Sequence, residues 1–503
     1  MKNSSLIRLA LVFALCAMLM TPVVTAQMTG TEGKMSMEGK TTMEGKIPIT
    51  TSSKQAMEYF LKGRDLAERL RAPEARTWFE KAVAEDPDFA LAHLLLAQVQ
   101  PTARGFFEHL DKALALTDKV SEGEKLMILG SQAGAGANPM KQREIYTKLV
   151  GMYPNDERAH NLLGTNHFGQ QEWDEAIKEY KTVTKINPDF SQAYNQMGYA
   201  YRTLEKYDEA EKAFQTYISL IPDDPNPYDS YAELLMKMGR YQESIENYRK
   251  ALKLNPTFAA SHIGIATNLN YMGKYKEARD QLQTMYANAT DDGQRRASLF
   301  ATAVSHVNEG NMMAALDEIN KMYTIAQKNN DHASMSGDLV TMGNILLEDG
   351  QYDKALTHFT KSVTVINESN LDEDVKEATR RNNLYNEGRV AVMRGDLATA
   401  GTKAEQYLAA ATKINNSNEI RLAHELQGMI AMEQKDYKTA HANLLKSNQQ
   451  NPQNIFRMAA VYQGQGDKAK AKEMCQMTTN FNALNSLNQA FATHKAKKMM
   501  AGL

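Results

Sequence analysis

Apolar residues recur along most of this chain at intervals of three and four residues, the spacing of one face of an α-helix. The segments that carry this pattern are separated by turns rich in Gly or Pro. Pro188, Pro222 and Pro256 stand 34 residues apart, and each ends a helical segment because proline cannot continue a helix. The pattern therefore predicts an array of repeated helix–turn–helix units.

Small and aromatic residues return at fixed offsets before each proline. Ahead of Pro222, Gly198 lies on the first helix of the unit, and Ala210 and Phe214 lie on the second. Small side chains let paired helices approach closely, and an aromatic ring fills the remaining space. The turns between paired helices recur as well: Glu205-Lys206-Tyr207, Gly239-Arg240-Tyr241, Gly273-Lys274-Tyr275 and Gly350-Gln351-Tyr352.

This pattern resembles the tetratricopeptide-repeat family, whose unit is a helix–turn–helix with the same residue signature. In this register, units begin near residues 56, 90, 123, 157, 191, 225 and 259. After about residue 290 the spacing lengthens, while pairs such as Gly343 with Ala355 persist. The resemblance implies an all-α, right-handed α-solenoid of about twelve units, regular over 51–290 and divergent over 291–480. Residues 481–503 are expected to form a capping helix and tail.

The beginning of the chain is typical of an export signal. Lys2 and Arg8 precede an apolar run over residues 9–20, and the small residues Val24-Thr25-Ala26 follow. We expect a signal peptide over residues 1–26, cleaved after Ala26. The protein is then expected in a bacterial periplasm or on the cell surface.

Residues 27–50 repeat a short unit containing Glu-Gly-Lys and carry almost no large apolar residue except Met. This composition predicts a flexible linker. An alternative is a metal-buffering segment, because thioethers bind soft metals. The methionines concerned are Met28, Met35, Met37 and Met43.

Composition narrows the function classes. The chain has 503 residues, of which 43% are hydrophobic and 23% charged, with a net charge of −2. There is no basic excess for nucleic acid, and no later segment is apolar enough to span a membrane. Cys16 would leave with the leader, so Cys475 has no partner for an intrachain disulfide. No hydrolase, zinc-protease, phosphate-loop or dinucleotide-binding motif is present, so a non-catalytic protein without a cofactor or metal is expected.

The resemblance implies that a partner protein or peptide binds in a concave groove lined by first helices. Asparagine amides can satisfy the backbone of an extended peptide, and aromatic rings can pack against its side chains. The alternatives are a solvated inner face and a solute-capture component of the cell envelope. The sequence leaves the partner and the oligomeric state open. The groove positions of the family correspond here to Asn161, Thr165, Gln192, Asn195, Tyr199, Arg202, Asn226, Asp229 and Asn270.

Overall fold

The computed structural model describes residues 45–69, 71–100, 103–135, 139–371 and 373–503. These residues form twenty-five α-helices and one 3₁₀ turn at Thr117–Lys119, and they contain no β-strand. The prediction of an all-α fold is confirmed. No helix in these ranges is long and apolar enough to cross a membrane. The predicted signal peptide and residues 27–44 of the predicted linker lie outside the described residues.

The helices follow one another with short connections. The first ten are α1 (Lys54–Glu68), α2 (Ala72–Glu85), α3 (Ala90–Gln98), α4 (Ala103–Ala115), α5 (Glu122–Ala135), α6 (Pro139–Met152), α7 (Glu157–Gly169), α8 (Trp173–Ile186), α9 (Ser191–Thr203) and α10 (Tyr207–Leu220). The next eight are α11 (Pro225–Lys237), α12 (Tyr241–Leu254), α13 (Ala259–Tyr271), α14 (Tyr275–Ala287), α15 (Asp292–Glu309), α16 (Met312–Lys328), α17 (His332–Glu348) and α18 (Tyr352–Asn367). The last seven are α19 (Glu373–Arg394), α20 (Leu397–Lys413), α21 (Ser417–Glu433), α22 (Tyr437–Leu444), α23 (Pro452–Gly464), α24 (Lys468–Thr479) and α25 (Leu487–Gly502).

The chain divides into two compact units, whose boundary falls within α11 and α12. The first unit contains residues up to 234 and residues 250–258, and the second contains 235–249 and 259–503. From α1 to α10 in the first unit, and from α13 to α25 in the second, each helix packs against its successor. In chain order, α1 to α24 make twelve helix pairs and α25 follows them. This order is that of an α-solenoid, as predicted.

Close approach within a pair depends on a small residue that faces an aromatic ring. A Cβ atom added to Gly198 would lie 2.6 Å from two ring carbons of Phe214, closer than van der Waals contact allows. Gly343 and Phe359 repeat this arrangement in the second unit, with a closest distance of 2.4 Å. Both rings are fully buried. The aromatic residue thus fills the space beside the small residue of its own pair.

The turns that recur in the sequence share one backbone conformation. The residue two places before the starting tyrosine has a positive φ: 57° at Glu205, 77° at Gly239, 74° at Gly273 and 79° at Gly350. Glycine adopts this left-handed conformation without the steric cost that a Cβ imposes. The turn reverses the chain within three residues, so the second helix folds back directly onto the first.

An extended segment over residues 46–53 lies against the first unit ahead of α1. The Ile47 N–H donates to Asp156 Oδ2 at 2.9 Å, and the Thr50 N–H donates to Glu124 Oε1 at 2.8 Å. Both carboxylates are buried. Residues 46–50, which the composition assigns to the linker, are thus bound to the repeats, because these two carboxylates accept their backbone N–H groups.

The second unit contains longer helices. From α15 to α21 they have 16 to 22 residues, against 13 or 14 from α5 to α14. The final pair is covered by α25, whose Ala496 packs with Ala459 and Cys475. The Cys475 thiol is buried, with its Sγ atom 3.4 Å from Met499 Sδ. In addition to capping this pair, α25 packs against α15.

Candidate functional site

The first helices α7 and α9 place two asparagines at equivalent positions of successive pairs. Asn161 and Asn195 are 34 residues apart. In each, the side-chain Oδ1 is buried and has no hydrogen-bond partner among the residues that the structure describes. Asn195 is only 4% exposed. An unsatisfied buried acceptor costs about 1–3 kcal/mol, so these amides carry a cost that a bound N–H donor would remove.

A tyrosine, an arginine and a glutamate form a polar cluster one turn beyond Asn195. The Tyr199 hydroxyl lies 3.2 Å from both Ser230 Oγ and Glu233 Oε2. The Arg202 guanidinium pairs with Glu233 and lies 4.7 Å from the centre of the Tyr199 ring. Burial raises the pKa of Tyr199, and the Glu233 carboxylate raises it further. The phenol therefore stays neutral and acts as a hydrogen-bond donor on this surface.

Two more predicted residues lie on the same helices. Thr165 is exposed on α7, and its Oγ1 accepts a 3.4 Å hydrogen bond from the Tyr180 hydroxyl. Gln192 is half-buried in the first turn of α9. The structure thus brings Thr165 and Asn161 onto α7, and Gln192, Asn195, Tyr199 and Arg202 onto α9. We call these six residues the first-helix surface.

The other predicted residues are engaged differently. The N–H and side-chain Nδ2 of Asn226 lie 2.9 and 2.8 Å from Asp224 Oδ1, so this amide closes the start of α11. Asp229 is half-buried in the first unit, and its charge also raises the pKa of Tyr199. Asn270 belongs to the second unit and is buried, and its Oδ1 accepts a 2.8 Å hydrogen bond from Ser305 Oγ. Asn226 therefore caps the start of its own helix, whereas Asn270 joins α13 to α15.

An ion pair joins first helices that are far apart in the sequence. Arg158 Nε and Nη2 donate to the two carboxylate oxygens of Glu68 at 2.7 and 3.2 Å. Arg158 begins α7 beside the first-helix surface, whereas Glu68 ends α1. No local sequence signal predicts this pair, because 90 residues separate its members. It fixes the start of α7 next to Asn161.

The two histidines of α7 each face a carboxylate. His160 Nδ1 lies 2.6 Å from Glu179 Oε2, and its Nε2 lies 3.1 Å from the Pro154 carbonyl. His167 Nδ1 lies 2.5 Å from Glu172 Oε2. The hydrogen bond to Glu179 raises the pKa of His160, partly offset by burial. Within the described ranges, no group of three or more His, Cys, Asp or Glu side chains is arranged to hold a metal ion.

Family comparisons agree with the repeat pattern. A family model described as "TPR repeat" matches residues 164–204, and two described as "Tetratricopeptide repeat" match residues 191–224 and 232–258. These matches include every residue of the first-helix surface except Asn161, which lies just before residue 164. Residues 164–224 and 232–258 therefore carry tetratricopeptide repeats, as the sequence predicted. This repeat is one used for protein–protein interaction. No curated protein matches the chain.

Solved structures of other proteins align with parts of the chain. One from Parabacteroides merdae is 15% identical and covers 56% of this chain and 98% of its own, with a TM-score of 0.35. YrrB, described as a TPR protein with an unusual peptide-binding site, is 18% identical over 38% of this chain and 95% of its own, with a TM-score of 0.27. MamA from Desulfovibrio magneticus is 15% identical over 32% of this chain and 92% of its own, with a TM-score of 0.30.

Proposed function

We propose that this protein is a non-catalytic scaffold that binds an extended segment of a partner protein on the first-helix surface of the first unit. The observation that carries the proposal is Asn195, an almost fully buried amide whose Oδ1 is unpaired within the described chain. Asn161 repeats it one unit earlier. Two acceptors at equivalent positions of stacked repeats suit the N–H groups of an extended backbone.

The polar cluster beside Asn195 supplies the second part of the proposed recognition. Arg202 and Tyr199 are held by Glu233 in one fixed arrangement. Residues held in place before binding lose little conformational entropy when a ligand arrives. A partner side chain with a carboxylate or a carbonyl would find donors there, because guanidinium groups bind planar oxygen acceptors well.

The test is a peptide-display selection on the intact chain, followed by affinity measurements with the selected peptide. Asn195→Ala should weaken binding about tenfold, which corresponds to about 1.4 kcal/mol. Its thermal stability should stay the same or rise, because an unsatisfied acceptor has been removed. The matched control is Gln215→Ala, an exposed residue on α10 that should leave affinity unchanged. Equal affinity of the wild-type chain, Asn195→Ala and Asn161→Ala would end the proposal.

We also propose that the protein acts outside the cytoplasm, on the basis of the leader-like residues 1–26. A pull-down from the envelope fraction of the native organism would then identify the natural partner. Mass spectrometry of the chain recovered from that fraction should give an N-terminus at Gln27. Recovery of an uncleaved chain from the cytoplasmic fraction would contradict export.

A further inference from the structure

Residues 480–503, here called the clasp segment, contact helices far from them in the sequence. The Lys237 ammonium lies 3.6 Å from the centre of the Phe481 ring, and it donates to the Phe481 carbonyl at 2.6 Å. The Tyr241 hydroxyl donates to Asn482 Oδ1 at 2.8 Å. Tyr271 donates to the Ala483 carbonyl. These contacts join residues more than 200 positions apart, all within the second unit.

The helix of the clasp segment is anchored separately. Phe491 of α25 is 3% exposed and belongs to an apolar cluster with residues of α15 and α17. The ring nitrogen His494 Nε2 lies 3.0 Å from the Val307 carbonyl, and Lys495 pairs with Glu348 at 2.6 Å. The members of the cluster from α15 and α17 include Leu299, Ala303, Val307, Leu339, Met342 and Ile345.

These anchors share one position in the repeats. Tyr271, Val307 and Glu348 lie in or near the last turn of α13, α15 and α17, which are the first helices of three successive pairs. The resemblance to tetratricopeptide repeats implies that first helices line the partner-binding groove. The clasp segment also packs on the final pair, where Asn488 contacts Gln453 at 3.3 Å. One segment thus connects the early and the late repeats of the second unit.

We propose that the clasp segment is an intramolecular ligand of the first helices α13, α15 and α17, which closes the second unit to partners and holds its repeats at a fixed spacing. The ligand in this proposal is the clasp segment itself. It is a helix with Phe491 and small residues on its buried face, preceded by a turn whose backbone carbonyls accept from Lys237 and Tyr271. This proposal concerns the second unit alone and does not depend on partner binding by the first.

The test uses the full chain and hydrogen–deuterium exchange. Lys237→Met keeps the aliphatic stem and removes the ammonium group, so it weakens the turn without opening a cavity. If the clasp segment binds as one ligand, the amide exchange rate should rise at least threefold in α25. The exchange rate should rise together with it in the last turns of α13 and α15. The amides of α20, which packs against α19 and α21, should be unchanged. Lys472→Ala, at an exposed position of α24, is the matched control.

A second variant tests occupancy directly. Phe491→Ala should loosen α25 on the order of 100-fold, because loss of a buried phenylalanine ring is among the most destabilising core changes. A labelled synthetic peptide of residues 480–503 should then bind the Phe491→Ala chain and bind the wild-type chain at least tenfold more weakly. Met477→Ala, at an exposed site on α24, should behave like wild type.

Two results would overturn the proposal. One is exchange in α25 that stays unchanged in Lys237→Met, or that rises without any change in α13 and α15, since α25 would then be a passive cap. The other is equal binding of the labelled peptide by the wild-type and Phe491→Ala chains. The Lys237→Met experiment remains decisive if Phe491→Ala fails to fold.

Discussion

Replacing Glu425 by Ala should strongly destabilise the second unit. Glu425 lies on α21 and is 2% exposed. Its Oε1 accepts from Arg457 Nη1 at 2.8 Å and from the Tyr385 hydroxyl at 2.8 Å, and its Oε2 accepts from Asn454 Nδ2 at 2.9 Å. Removing the carboxylate takes away the acceptor that these three donors share, and it leaves the largely buried Arg457 guanidinium without its counter-charge.

The expected loss follows from that uncompensated charge. Breaking a buried ion pair by removing one member costs about 3–5 kcal/mol, a large part of the stability of an ordinary domain. Burial alone would raise the pKa of Glu425, but the charge of Arg457 and the hydrogen bonds from Asn454 and Tyr385 hold it below its ordinary value. The wild-type contribution is therefore present above about pH 4.3 and is lost as the pH falls through the lower folded-state value.

Urea unfolding measured by two probes isolates the effect. Both tryptophans, Trp78 and Trp173, lie in the first unit, so their fluorescence reports on that unit while circular dichroism reports on all helices. Glu425→Ala should shift the circular dichroism transition and leave the tryptophan transition in place, because stability in repeat arrays is largely a sum of local terms. Glu405→Ala, exposed on α20, should change stability by less than about 0.5 kcal/mol. A loss in Glu425→Ala no larger than that of Glu405→Ala would refute the reasoning.

Three further changes test local features of the fold. Gly198→Ala should destabilise by about 1–3 kcal/mol through overpacking, whereas Gly401→Ala, where a Cβ meets no atom within 4 Å, should stabilise by up to about 1 kcal/mol in thermal melts. Equal shifts would contradict the steric argument. His160→Gln should cost most below about pH 6.5 and progressively less as the pH rises through the raised folded-state pKa of His160. A pH-independent difference in melting temperature would contradict this. Thr50→Ala removes a 2.6 Å hydrogen bond to the buried Glu124 carboxylate. The free energy of unfolding in urea should fall by about 1.5–3 kcal/mol. An unchanged free energy of unfolding would show that the extended segment is not attached.

Local repetition made the repeats predictable. The 34-residue spacing of prolines and the offset of Gly198 to Phe214 depend on contacts between adjacent helices, so residues near in sequence carry the whole signal. The predicted turns have their left-handed residue where the sequence places Gly239 and Gly273, because few other residue types tolerate that backbone. The pattern also located Asn161 and Asn195 at equivalent positions.

The roles of the individual side chains could not be predicted in the same way. Asn195 and Asn270 occupy positions that the family pattern treats as similar, yet the first leaves an unpaired amide and the second binds Ser305. The difference depends on which side chain the next first helix presents. The repeat register does not show which side chain lies opposite a given asparagine. The pattern could therefore identify Asn195 and Asn270 as candidate binding residues, but it could not predict which of them has a hydrogen-bond partner.

By itself, the sequence determined the all-α repeat architecture, the pairing of helices and the likeness to tetratricopeptide repeats, because each depends on contacts within one or two repeats. Only the tertiary structure decided where residues 46–53 and 480–503 lie. Thr50 reaches Glu124 across the two pairs from α1 to α4, and Phe481 reaches Lys237 across the six pairs from α13 to α24. Such contacts form only after stacking has set the curvature of each unit, a sum of small rotations that no local pattern of apolar residues records.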